Sequence, residues 1–99
     1  MATTQAVLRI EHGVPDYQRW KAAFDADPLQ RAASGVIGHR VMRATDDPNL
    51  VMIDLEFGSP AEAAQMAERL RGLWSGVAGA IVADPHARVV EVVERAAAS

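Results

Sequence analysis

Between Leu50 and Phe57 the chain alternates without a break: Val51, Ile53, Leu55 and Phe57 fall on one parity, Met52, Asp54 and Glu56 on the other. A period of two over this length is the signature of a strand with one face buried and one not. This constrains the fold more than any other feature. A sheet built on such a strand needs an apolar cover on one side and a different solution on the other. The first strand, Ala6 to His12, has the same character, with Leu8 and Ile10 against Val7, Arg9 and Glu11.

The cover is visible in two amphipathic segments. Tyr17, Trp20 and Phe24 recur at helical spacing, with Gln18, Arg19, Lys21 and Asp25 outside the stripe. Pro15 suits a first helical turn, Asp16 complements the helix dipole, and the Asp27–Pro28 pair ends the segment. "PLQRAASG" adds one short helical piece that Gly35 terminates. In the second segment, "SPAE" places Ser59 as N-cap, Pro60 at the first helical position and Glu62 to close a capping box. Ala63, Met66, Ala67, Leu70 and Trp74 then form the stripe. Val36 to Thr45 is a strand joined to the alternating one through the turn "DDPN", and "HARVVEVVE" is the last strand. "SGVAGAIVADP" fits either a loop with a helical turn or a short strand at Ala80 to Ala83.

The order strand, helix, strand, strand, helix, strand predicts a single α+β domain over residues 1–99, a ferredoxin-like βαββαβ unit. Its four-stranded antiparallel sheet runs fourth, first, third, second, with both helices on one face. The expected core sets Leu8, Ile10, Val51, Ile53, Leu55, Phe57, Val90 and Val92 against Tyr17, Trp20, Phe24, Met66, Leu70 and Trp74.

The helix-free face depends on the hairpin register. With Thr45 opposite Leu50, Arg43 faces Met52, Val41 faces Asp54 and His39 faces Glu56. The bare face then carries Arg9, Glu11, His39, Arg43, Asp54, Glu56, Val89 and Glu91. A shift of one residue brings Arg40 and Met42 there instead. The first register is preferred because it interleaves Val41 and Met52 with charges of both signs; the second stays open. Such a face is either solvated or paired with a second copy through charge-assisted hydrogen bonds.

Composition removes several functions. A net charge of −3 argues against nucleic-acid binding. The absence of cysteine excludes disulfides, thiolate catalysis and thiolate metal sites. No run is long enough to span a bilayer and the first dozen residues lack signal-peptide character, so a cytoplasmic location is expected.

The segments "VPDYQRWKAAFDADPLQRAASGVIGHRVMRATDDPN" and "LEFGSPAEAAQM", together with the element order, resemble the dimeric α+β barrel superfamily. The closest resemblance is to uncharacterised small stand-alone proteins akin to antibiotic-biosynthesis monooxygenases and polyketide cyclases. The resemblance implies a homodimer of ferredoxin-like protomers. It also implies a cofactor-independent monooxygenase or a cyclase/isomerase acting on an aromatic or polyketide-like molecule. The alternative is a non-catalytic ligand-binding or stress-related accessory homodimer. A haem-degrading set of Asn, Trp and His does not map residue by residue onto this chain, and no cofactor is expected.

In the preferred register His39 is the candidate acid/base, held by Glu56, with Arg43 (or Arg31 or Arg40) to hold an anionic or enolate oxygen. The same residues also make sense as an interface salt-bridge network. Tyr17, Trp20, Phe24, Met66 and Trp74 are candidates to line a pocket for a small hydrophobic or aromatic ligand, or else plain core. The expected topology brings His12, His39 and His86 towards one sheet end, but no carboxylate shares a ligand spacing with them, and no metal is expected. "RAASG" is a turn rather than a phosphate loop.

Overall fold

Six elements form in the expected order: β1 (Ala6–Gly13), α1 (Tyr17–Asp25), β2 (Val36–Ala44), β3 (Asp47–Phe57), α2 (Pro60–Trp74) and β4 (Ala83–Glu91). The computed structural model describes residues 3–76 and 80–98. The strands make one antiparallel sheet in the order β2-β3-β1-β4. This is the ferredoxin-like arrangement expected from the sequence.

Asp16, expected inside the first turn, is instead the N-cap of α1: its Oδ1 accepts a hydrogen bond from the Arg19 N–H at 3.2 Å, which leaves Pro15 just outside the helix. The segment behind α1 is a run of turns. Its last turn closes on Gly35 with Val36 N–H donating to Arg31 O (3.0 Å) and Gly35 N–H to Ala32 O (3.2 Å), a Schellman pair. Gly35 has φ 98°, where a side chain is strained. At α2, Ser59 Oγ accepts from the Glu62 N–H (3.3 Å) and donates to Glu62 Oε1 (3.1 Å), so cap and third residue hold each other. Of the ambiguous stretch before β4, residues 77–79 lie outside the described residues. Ala80 and Ile81 form a short helical turn, and the strand begins at Ala83.

The core follows β1 and β3. Leu8, Ile10, Val51, Ile53, Leu55 and Phe57 are buried against Trp20, Ala63, Met66 and Ala67. Each large apolar side chain removed from water contributes about 2 kcal/mol before entropy is counted.

Two expected registers are corrected. In the hairpin, Arg43 pairs with Val51, Met42 with Met52, Val41 with Ile53, Arg40 with Asp54 and His39 with Leu55. The turn closes one step earlier than expected, on Ala44 and Asp47, and Pro48, Asn49 and Leu50 are accommodated as an irregularity in β3. Asp47 Oδ1 accepts from the Asn49 N–H (3.0 Å), and Asn49 O accepts from the Val14 N–H (2.7 Å), which fixes this bulge to the end of β1. In β4, Val89 and Ala87 face the core while Val90 pairs with Val7 on the bare face, the reverse of the expected parity. Val92 follows the end of β4. Neither slip changes the strand order, but each moves every side chain of its strand to the other face.

Candidate functional site

Antiparallel pairing sets β1 end to β3 start, so His12 pairs with Val51 and Leu8 with Leu55. His12 therefore shares its parity with Leu8 and Ile10 and points to the helix side, where it is 3% exposed. Its ring meets Trp20 edge-on (centroids 5.4 Å, 65°) and Trp74 edge-on (6.4 Å, 80°). Trp20 stacks on with Phe24 at 5.3 Å. These three aromatics come from α1 and α2, whose helical spacing aims them at the same patch of sheet.

Between helices and sheet lies an apolar cavity of about 110 Å³, partly open to solvent. Ile10, His12, Ile53 and Leu55 form its floor; Trp20, Phe24, Leu70 and Trp74 form its walls; Arg31 lines it as well. Of the five expected pocket residues, Trp20, Phe24 and Trp74 line it. Tyr17 stands outside under Arg43, and Met66 is buried in the core. His12 was not among the expected pocket residues, although its parity with Leu8 and Ile10 places it there.

His12 Nδ1 lies 3.3 Å from Gly13 O. A carbonyl only accepts, so this hydrogen bond places the proton on Nδ1 and leaves a lone pair on Nε2. Nε2 has no hydrogen-bond partner among the described residues. Nor is any side-chain nitrogen or oxygen there both sealed from solvent and unpartnered. The cavity is the open space beside it. Burial lowers the imidazole pKa below its ordinary 6.5 because the charged form loses its water; the bond to Gly13 opposes this without cancelling it. The result is a neutral base in an apolar enclosure.

The expected acid/base pair does not form. His39 faces the helix side at the β2 edge, exposed, with its ring edge-on to Phe24 at 5.4 Å. Glu56 is on the opposite sheet face, with Arg95 Nη2 3.8 Å away. The one-residue register difference is the cause. Arg43 also lies on the helix side, its Cζ 4.3 Å from the Tyr17 ring centre. The three histidines do not converge either: His12 and His86 lie at one sheet end but on opposite faces, and His39 is four positions further along. Among the described residues no three His, Asp or Glu side chains gather as a metal would need.

The bare face carries a cross-strand row: Arg40 on β2, Asp54 on β3, Arg9 on β1, Arg88 on β4. The Asp54 side chain is 6% exposed, with Arg9 Nε at 3.1 Å and Arg40 Nη2 at 2.8 Å. The next row is Met42, Met52, Glu11 and His86. A shallow concavity of about 600 Å³ spans this surface.

No protein-family model matches the chain, and no curated protein matches it. Solved structures do. SnoaB, a cofactor-independent oxygenase from Streptomyces nogalater (its N63A variant), superposes with a TM-score of 0.73 at 12% identity, over 94% of this chain and 97% of that one. A dimeric ferredoxin-like protein from an uncultured marine organism gives 0.64 at 14% identity, over 98% and 95%. A protein of unknown function from Nitrosomonas europaea gives 0.64 at 15%, over 100% and 99%. At these identities the likeness establishes the ferredoxin-like fold.

Proposed function

We propose that this protein is a homodimer of ferredoxin-like protomers that binds a small aromatic or polyketide-like molecule in the helix–sheet cavity. There it acts as a cofactor-independent monooxygenase or a cyclase/isomerase. The observation that carries the reading is His12: an uncharged imidazole between two tryptophans, with a lone pair left for the cavity. A proton moved from a ring hydroxyl or an enol to Nε2 leaves an electron-rich phenolate or enolate, the form that oxygen insertion and ring closure both require. In this role His12 takes the place first expected of His39 with Glu56 and Arg43.

The cavity sets the scale of the ligand. An apolar cavity of about 150 Å³ holds benzene, so about 110 Å³ with an open side fits one ring inside and the remainder in the mouth. The homodimer is supported by the bare face. Val7, Met42, Met52 and Val90 are half-buried there around the Arg–Asp–Arg row, and a two-fold partner would cover them. The structural likeness to a dimeric ferredoxin-like protein supports the same arrangement.

The test is oxygen uptake and absorbance change on incubation with a panel of hydroxylated naphthalenes, alongside the mass in solution. A mass twice 10.6 kDa and turnover that is lost in folded His12→Phe are expected. Binding without turnover for every compound would favour the second reading, a non-catalytic ligand-binding homodimer, which the small size of the cavity favours. A mass near that of one chain would remove the dimer.

A further inference from the structure

The cavity has a second polar group, and it is a cation. Arg31 lies on the wall formed by Phe24, Pro28 and Leu29, with its side chain 17% exposed. Its guanidinium carbon is 3.9 Å from the Phe24 ring centre. Nη1 donates to Phe24 O at 2.8 Å and lies 3.4 Å from Asp27 Oδ1, which also accepts from the Arg31 N–H at 2.9 Å. Nε and Nη2 have no partner among the described residues. Contact by contact, His12, Trp20, Phe24 and Arg31 form one run, with the neutral base at one end and the guanidinium at the other.

We propose that Arg31 makes the cavity selective for an anionic aromatic ligand, a ring bearing a carboxylate or an ionised phenol, whose charge lies on the free edge of the guanidinium while the ring packs on Phe24 and Trp20. This rests on the ligand-binding reading above and narrows its substrate class. The physical reasons are three. A guanidinium is weakly hydrated and planar, so it loses less than an ammonium on meeting an anion in an apolar wall. Its N–H groups form paired, charge-assisted bonds with a carboxylate. The low-polarity lining strengthens the attraction relative to water. Asp27 is the competing charge, but it is the more exposed of the pair and engages only the Nη1 side.

The chain contains two tryptophans, and both line the cavity, so tryptophan emission, excited selectively over Tyr17, reports on this site. Titration with benzoate and with its neutral isostere benzamide is the experiment. Wild-type protein is expected to bind benzoate about tenfold more tightly than benzamide, the size of one charge-assisted contact. Arg31→Gln is expected to bring the two within about twofold, and Arg31→Lys to keep part of the preference. Arg69→Gln supplies the structural control. Arg69 staples the same turn, through Leu29 O (2.9 Å) and Ser34 Oγ (2.6 Å), but does not line the cavity. Its preference for benzoate should stay as in wild type.

Equal binding of the two ligands by wild type, an unchanged preference in Arg31→Gln, or a preference lost equally in Arg69→Gln would overturn the assignment of Arg31 while leaving the cavity a binding site. Binding of neither ligand at millimolar concentration would remove the ligand-binding reading itself. If Arg31→Gln does not fold, the Lys variant decides: a preference equal to zero or undiminished counts against the proposal.

Discussion

Replacing His12 with phenylalanine isolates the energetic consequence of enclosing an imidazole between Trp20 and Trp74. Well above pH 6.5, as at pH 8, the imidazole is neutral in both the folded and the unfolded chain, and the two proteins differ only in packing and in the bond from Nδ1 to Gly13 O, about 1 kcal/mol. As the pH falls below 6.5 the unfolded chain takes a proton that the folded chain, with its lowered pKa, does not. The unfolded state gains, so the wild type loses stability as pH falls from 6.5 through the depressed folded value. The loss cannot exceed about 1.4 kcal/mol per pH unit, so about 2 kcal/mol per chain is its ceiling between pH 6.5 and 5. The phenylalanine variant has no such dependence at this position. Subtracting its curve removes the contribution of every other titrating group that the two proteins share. The assay is urea unfolding followed by far-ultraviolet circular dichroism at pH 5, 6, 7 and 8 and one fixed protein concentration. With a slope of about 2 kcal/mol per molar urea, the wild-type midpoint should fall relative to the variant by up to about 1 M at pH 5. A difference that stays flat, or that moves in favour of wild type at low pH, would refute the buried neutral imidazole. So would a His12 ring resonance titrating at or above 6.5.

Two further perturbations probe the supports of the site. Gly35→Ala puts a methyl group on a backbone with positive φ and into the Glu62 carboxylate, which must leave the Ser59 hydroxyl. A loss of about 1–2 kcal/mol is expected, seen as a fall in Tm of about 4–8 °C per kcal/mol, with Gly35→Asn less affected. Asp54→Asn keeps the shape but leaves Arg40 and Arg9 without their shared carboxylate, in a row that also holds Arg88. If that row meets its two-fold copy, the dimer dissociation constant by sedimentation should rise about tenfold or more; an unchanged constant would mean that the row is solvated.

The alternation in β1 and β3 and the two helix stripes sufficed to read the element order, the strand order and the helix-covered face. Two registers were not legible, for separable reasons. "DDPN" contains turn residues at every position, and the turn closes on Asp47, ahead of Pro48, with the surplus absorbed as a bulge that the long-range bond from Val14 to Asn49 holds. At the end of β4 and just beyond it, "VVEVV" offers valine on both parities, so periodicity has no preference and pairing with β1 decides. The expected site failed with the first of these slips, since His39 and Glu56 owed their meeting to one register. His12 was legible all along as the third member of the series Leu8, Ile10, His12.

The two faces of the sheet are not independent, because β1 and β3 build both. Ile10 and His12 floor the cavity while Arg9 and Glu11, on either side of Ile10, point to the reverse; Ile53 and Leu55 do the same around Asp54. These are the two central strands, each paired along both edges, and they have the least freedom to move. The cavity floor is therefore fixed by the same pairing that aligns the ionic row, and covering that row with a second copy would stiffen the floor further. The wall that can yield is the other one. α1 is nine residues long with only Trp20 buried, and the turns behind it are held largely by Arg31 and Arg69. If the proposed ligand needs more room than the cavity and its mouth give, the room would come from α1 and that turn rather than from the sheet. Arg31 belongs to both parts, holding the turn through Phe24 O and lining the cavity.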